Sequence, residues 1–220
     1  MKIKGSGGPD GLPAIFFKSV GPNIAFPLSV IFNISVQSGS VPMILRTAVV
    51  TPIFKKGFPT DPASYRPISL TCIACKLVKC GIKDASLQHM LTHKLISSHQ
   101  HGFLSRKSTA TQLFKCNFNW CFAISTGANT DVIYLDYSRA FDSVVHSKLI
   151  AKLEHYGVNL IVIAWISSFL AGRVQCVRVG SCLFDYRDIV SGVPQDSVQT
   201  WAQCYHRLRG SASPVLMATG

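Results

Sequence analysis

The sequence predicts an α+β fold, and three observations carry that prediction. Strand-like and helix-like segments alternate along the chain, but in no strict β-α-β order. The apolar fraction is 48% and the charged fraction 15%, so the 220 residues hold ample core material for one large domain or two small ones. Low charge with a positive mean hydropathy argues against a disordered chain.

The first segment is punctuated by Gly and Pro, then turns apolar at Leu12-Pro13-Ala14-Ile15-Phe16-Phe17. Ile24 to Val36 reads as a helix after Pro22 and Asn23, closed by Gly39 and Pro42. Ala48 to Phe54 is β-rich and runs into a basic turn, Lys55-Lys56-Gly57. After a loop with Pro59, Asp61 and Pro62, Tyr65 to Leu70 reads as a second strand, with Pro67 forcing Arg66 extended. Leu77 to Leu95 is helix-like. So is Ser108 to Phe122, with Ser108 or Thr109 as its cap.

Gly127 to Thr130 reads as a turn, and Val132 to Asp136 as a strand ending in a carboxylate. His146 to Tyr156 carries Leu149, Ile150, Leu153 and Tyr156 at helical spacing, and Gly157 stops it. Val174 to Val179 alternates as a half-buried strand, and Gly180 turns the chain into a further short strand ending at Asp188-Ile189-Val190.

Twenty-two basic against ten acidic residues give a net charge of +12. A globular chain this basic meets a polyanion, nucleic acid first; the alternative is an uneven fragment lacking its acidic half. Met1-Lys2-Ile3-Lys4 is followed by Gly5-Ser6-Gly7-Gly8-Pro9 rather than the apolar run of a secretory leader. The run from Val158 to Gly172 is shorter than the roughly 20 residues a membrane span needs, and it contains Asn159, Ser167 and Ser168. A buried helix, an intracellular chain and no membrane partner are therefore expected. The eight cysteines form no regular framework and read as reduced, mostly buried thiols. Cys72, Cys75, His89 and His93 have zinc-finger spacing, but the segment between them has no phenylalanine to build a finger's core. Their spacing is read as coincidence.

Several blocks, in order, resemble one family. They are Gly8-Pro9-Asp10-Gly11-Leu12-Pro13; Thr51 to Gly57 with Tyr65 to Leu70; His99 to Phe103 with Ser108-Thr109 and Gln112-Leu113; Leu135-Asp136-Tyr137-Ser138-Arg139-Ala140-Phe141-Asp142; and Ser191-Gly192-Val193-Pro194-Gln195. Each is weak alone. Their shared order makes the chain resemble the reverse transcriptase of LINE-type (non-LTR) retrotransposons.

The resemblance implies the fingers and the first part of the palm of a right-hand polymerase. Residues 1–125 would be fingers-like, 126–198 a partial palm and 199–220 a divergent tail. It implies RNA-directed DNA synthesis from an RNA template, a DNA primer and deoxynucleotides, with Mg²⁺. In-line attack of a 3′-hydroxyl on a phosphate uses two such ions, which take carboxylate and phosphate oxygens. Asp136 is the expected catalytic carboxylate and Mg²⁺ ligand. Arg66 would grip the incoming triphosphate with its planar fork, and Lys55 (with Lys56) would do similar work or touch template backbone. Phe141 matches the steric gate against a ribose 2′-hydroxyl, a role compatible with core packing. Gln195 would lie by the templating pair, with Ser191 and Gly192 forming the close-approach turn. Asp142 receives no metal role and is expected to make a structural hydrogen bond.

Two departures matter. Asp196 stands where the family has Gly, a negative charge beside a site for a phosphate backbone. Beyond it the sequence has no Asp or Glu, so the family's adjacent aspartate pair is missing. The 220 residues also leave no segment for a thumb or an endonuclease. The chain as written is expected to be catalytically inactive, the alternative being a non-catalytic, basic nucleic-acid-binding remnant. Back-translation of Thr200 to Tyr205 in a shifted frame allows Leu-Gly-Pro-Met-Leu, as the family would have it. The tail from Gln199 to Gly220 therefore reads as out-of-frame translation or a wrong exon junction.

Overall fold

The computed structural model describes residues 7–134 and 141–194. Asp136, Gln195, Asp196 and the whole divergent tail lie outside these residues. The architecture is mixed, with helices around one small mixed sheet, in agreement with the α+β expectation.

The chain opens with a turn in which Gly11 N–H reaches Gly8 O at 3.1 Å. Gly8 lies so close over the Cys72 backbone that no side chain fits there. Helix α1 then runs over Ala14–Ser38 and ends on Gly39, whose φ of 61° is the left-handed stop. The expected start at Ile24 is thus corrected: Pro22 and Pro27 both lie inside the helix. Each proline removes one backbone bond. Ala14 and Phe17, packed on Ile73, hold the preceding turns in line, so tertiary contact overrides the local break. By length and composition α1 could cross a membrane, with a mean hydropathy of 1.4. The membrane test therefore falls on this helix and not on residues 158–172. α1 makes its main contacts with two other helices, described below, and Phe26, Ile31 and Ile34 are exposed.

Short helix α2 (Met43–Arg46) leads into β1 (Thr47–Phe54), and a 3₁₀ turn (Pro62–Ser64) leads into β2 (Tyr65–Thr71). β1 and β2 pair antiparallel, with Val50 opposite Ser69 and Ala48 opposite Thr71. Asp61 caps the turn by accepting from Ala63 N–H at 2.8 Å. Helix α3 (Ile73–Thr92) follows, then α4 (Thr109–Ser125). A reciprocal capping box of Ser108 and Thr111 opens α4, confirming Ser108 as the cap. None of the α4 residues is buried.

Val132, Ile133 and Tyr134 form no strand, and Ile133 and Tyr134 are exposed. This corrects the expected strand for its described half. No strand of the described residues pairs with it, and a strand without a ladder leaves its backbone groups to solvent.

Helices α5 (His146–His155) and α6 (Leu160–Leu170) carry most of the core. Leu149, Leu153, Trp165, Ile166 and Phe169 are fully buried and pack with Val78 and Ile82 of α3 and with Val193. Each such side chain contributes roughly 1.5–3 kcal/mol by leaving water. Trp165 stacks on Phe169 at 5.4 Å, and its indole N–H donates to Ser35 Oγ at 3.0 Å. The apolar run at 158–172 is a buried core helix, as expected; α1 packs on it and on α3.

Strands β3 (Arg173–Val179), β4 (Cys182–Leu183) and β5 (Arg187–Ile189) complete the sheet. β3 pairs parallel with β1, Ala48 against Gln175, and antiparallel with both β4 and β5. One sheet thus joins residues from both sides of position 125.

Cys72 and Cys75 sit at the first turn of α3, and His89 and His93 in its last turn or just beyond. A rise of about 1.5 Å per residue separates the two pairs by some 20 Å. They cannot ligate one zinc ion, and no group of three potential ligands occurs among the described residues.

Candidate active site

Two loops distant in sequence are laced together beside the sheet. Gly192 N–H donates to Val144 O at 2.9 Å and Val193 N–H to Phe141 O at 3.0 Å. His146 Nε2 donates to Gly192 O at 2.8 Å, and Ser191 Oγ reaches Asp142 O at 3.4 Å. Gly192 has φ 81°, in the left-handed region. Residues 141–146 and the Ser191–Pro194 turn are therefore fixed against each other, although Asp142 and Ser191 are 49 residues apart.

A cleft of about 310 Å³ opens between this turn and the sheet. Val50, Pro67, Ser69 and Gln175 contribute from the strands, Asp142, Ser191 and Gly192 from the loops, and Arg173 from the start of β3. Strand alternation explains the set. The pairings of Val50 with Ser69, and of Ala48 with Thr71 and Gln175, place Ser69, Thr71, Gln175 and Arg173 on one face.

That face is electrostatically unusual. Arg173 is 3% exposed, its Nε has no hydrogen-bond partner, and its Cζ lies 5.4 Å from the Phe169 ring centre. Burial holds its pKa down at about 10. Lys79, also buried, lies 5.5 Å from the same ring and donates to Thr71 Oγ1 at 3.3 Å. Desolvation lowers its pKa, with Arg173 adding repulsion. Beside them the Cys72 side chain hydrogen-bonds Cys75 and holds its thiol at about 7, with Lys79 also favouring the thiolate. The hydrogen bond and burial push Cys72 up correspondingly. The ion pair among the described residues is Lys83–Asp84, away from this cluster.

The structure brings together Ser191, Gly192 and the backbone of Phe141. The Phe141 ring packs against the main core. Arg66 and Lys55 are not part of this group. Both are exposed, Lys55 just past β1 and Arg66 opposite Ile53, on the face away from Ser69. Asp136 and Gln195 lie outside the described residues. Sequence reasoning missed Arg173, Ser69 and His146. The available signal for Arg173 was its phase, two residues before Gln175 on one strand face.

Residues 53–199 match the family described as reverse transcriptase (RNA-dependent DNA polymerase). The chain is 29% identical over 205 residues to a polypeptide described as a probable RNA-directed DNA polymerase from transposon BS of Drosophila melanogaster, covering 90% of this chain and 22% of that one. It is 32% identical over 175 residues to the RNA-directed DNA polymerase from mobile element jockey of the same species, covering 78% and 19%. The jockey polymerase of Drosophila funebris is 31% identical over 172 residues, covering 78% and 19%. The chain spans about a fifth of the length of these relatives.

Proposed function

Because this chain belongs to the reverse transcriptase domain family of non-LTR retrotransposons, we propose that it is the fingers and first palm segment of an RNA-directed DNA polymerase. The β1–β2 ribbon would belong to the fingers, and the β3–β5 strands, which fall within residues 126–198, to the partial palm. The laced loops at 141–146 and 191–194 would be the start of the palm. The carrying observation is that lacing, because it holds residues 141–146, which follow the Asp136 motif in sequence, beside the Ser191-Gly192 turn at the mouth of a cleft.

In this reading Asp136 is the catalytic carboxylate, and Ser191 and Gly192 give a nucleic-acid strand close approach to backbone. Gln195 follows that turn directly in sequence. Arg66 and Lys55, exposed at the end of the β1–β2 ribbon, meet the triphosphate or template. The Phe141 ring, anchored in the core, is a rigid gate. RNA template, DNA primer and deoxynucleotides are the partners. When bound, Mg²⁺ would neutralise charge on the attacking and leaving oxygens.

Asp136, the expected Mg²⁺ ligand, lies outside the described residues. Asp142 is the cleft's one described carboxylate, and no three potential ligands cluster. Two-ion chemistry needs more carboxylates than Asp136. We read these 220 residues, which carry Asp136 without the family's adjacent aspartate pair, as unable to extend a primer on their own. A primer-extension assay on an RNA template tests this. No extension is expected from the chain alone. Mg²⁺-dependent extension that survives Asp136→Asn overturns the assignment of Asp136.

The second reading, a basic nucleic-acid-binding remnant, is favoured by the charge. The net charge is +12, and among the described residues the ion pair is the exposed Lys83–Asp84. It requires binding to single-stranded RNA of any sequence, weakening steeply with salt. Salt-independent binding counts against it.

A further inference from the structure

We propose that Arg173 and Ser69 form an anion subsite at the buried end of the cleft, which takes a phosphate group from a nucleotide or a nucleic-acid backbone. The subsite rests on the cleft's own geometry; the source of the phosphate rests on the polymerase reading.

Four observations lead there. Arg173 and Ser69 line the same cleft and share one face of the sheet. The buried Nε of Arg173 and the buried Oγ of Ser69 both lack hydrogen-bond partners among the described residues. A buried polar group without a partner costs free energy, and a buried guanidinium more so. Both residues border the open cleft, and their unpaired atoms lie just beneath its wall, within reach of a ligand after a small side-chain shift. No carboxylate of the described residues lies within ion-pairing distance of the guanidinium, although Asp142 lines the cleft. Lys79, beside the same Phe169 ring, adds a second positive charge behind the site.

The chemistry selects the ligand. A planar fork of donors suits a tetrahedral oxyanion, and a hydroxyl adds one further donor. A cleft of about 310 Å³ is at the lower end of ligand-pocket volumes and admits a phosphate with part of its attached sugar. The walls given by Val50, Pro67 and Ile189 are apolar, which strengthens the charge interaction inside.

Thermal unfolding of the 220-residue chain with inorganic phosphate, dTTP or a short single-stranded RNA tests the site. Phosphate should raise the melting temperature of the wild type saturably. Arg173→Met should weaken phosphate binding by about tenfold or more, through loss of a charge-assisted bond. Without phosphate, Arg173→Met should be at least as stable as wild type, since an uncompensated buried charge is gone. Ser69→Ala should weaken binding a few-fold, and Asp142→Asn should strengthen it by removing a negative charge from the cleft.

Should Arg173→Met fail to fold, Arg173→Lys carries the comparison: it keeps the charge, loses the fork and should bind more weakly. Protection by phosphate that is equal in wild type and in the Arg173 variant overturns the subsite. So does a stability loss in Asp142→Asn matching that of Arg173→Met, which would mark an internal ion pair instead. Stronger Arg173-dependent protection by dTTP than by RNA identifies a nucleotide phosphate, and the reverse a backbone phosphate. Binding of inorganic phosphate with neither dTTP nor RNA leaves the subsite standing and removes the polymerase reading.

Discussion

A Cβ placed on Gly192 would stand 3.0 Å from both Cα and the carbonyl oxygen of Asp142. The contact is backbone against backbone, so no side chain can swing away to relieve it. The same glycine has φ 81° and donates its N–H to Val144 O. Gly192→Ala should therefore destabilise the chain by about 1–3 kcal/mol, from left-handed strain and displacement of the 141–146 loop. Urea unfolding measures this. A change under half a kilocalorie would mean that the two loops are not locked together.

The indole N–H of Trp165 has Ser35 Oγ as its partner, and Ser35 Oγ in turn donates to Ser40 O at 2.6 Å. Ser35→Ala leaves the buried indole N–H without an acceptor, at a cost of about 1–3 kcal/mol. Trp165→Phe removes the donor but also opens a cavity. A double-mutant cycle isolates the bond; a coupling indistinguishable from zero would show that it does not hold α1 to α6.

Phe169 supports the buried cations as well as the core. Its ring stacks on Trp165 and faces Lys79 and Arg173. Phe169→Ala should cost about 3–5 kcal/mol, the range for removing a fully buried aromatic. Phe169→Leu should retain much of the packing but lose the attraction of ring to cation. Calorimetry that ranks Leu as damaging as Ala would assign the larger share of the effect to the ring electrons.

The Cys72–Cys75 pair gives stability a sign with pH. Cys75 has its thiol lowered from 9.0 to about 7 in the folded chain. Between those values the unfolded chain binds more protons, so stability rises with pH. The contribution is present above the unfolded value and is lost as pH falls through the folded one. Denaturant midpoints should increase from pH 7 to pH 9 in wild type and lose that increase in Cys75→Ser. An unchanged slope in the variant would place the titration elsewhere.

The separation of Cys72 and Cys75 from His89 and His93 along α3 makes a metal prediction. Purified chain should contain no stoichiometric zinc, and a chelator should leave its melting temperature unchanged. Elemental analysis showing one zinc per chain, lost in Cys75→Ser and in His89→Ala alike, would require α3 to be broken.

Local rules carried most of the fold. The β-branched runs gave β1 and β2, Ser108 gave the start of α4, and Gly157 and Gly39 gave helix ends. They failed where tertiary contact decided. Pro22 and Pro27 read as a break, yet Phe17 packs on Ile73 and the helix runs through. Val132 to Tyr134 have strand-forming side chains but no neighbouring strand. The site was half legible. Ser191 and Gly192 were named from their motif and do line a cleft. Arg173 was not, because alternation separates the two faces of a strand without telling that the charged one ends beneath Phe169.

The parallel pairing of β1 with β3 has a consequence for synthesis. Thr47 finds Val174 only after the helices between them have been made. As the chain emerges, the β1–β2 hairpin can close early, but the other edge of β1 waits until Val174 has been made. Loop-closure entropy on this scale makes folding slow. During that interval the waiting edge is a template for any extended strand nearby. Speed of translation and chaperone supply, rather than final stability, should govern how much of this chain reaches its native sheet.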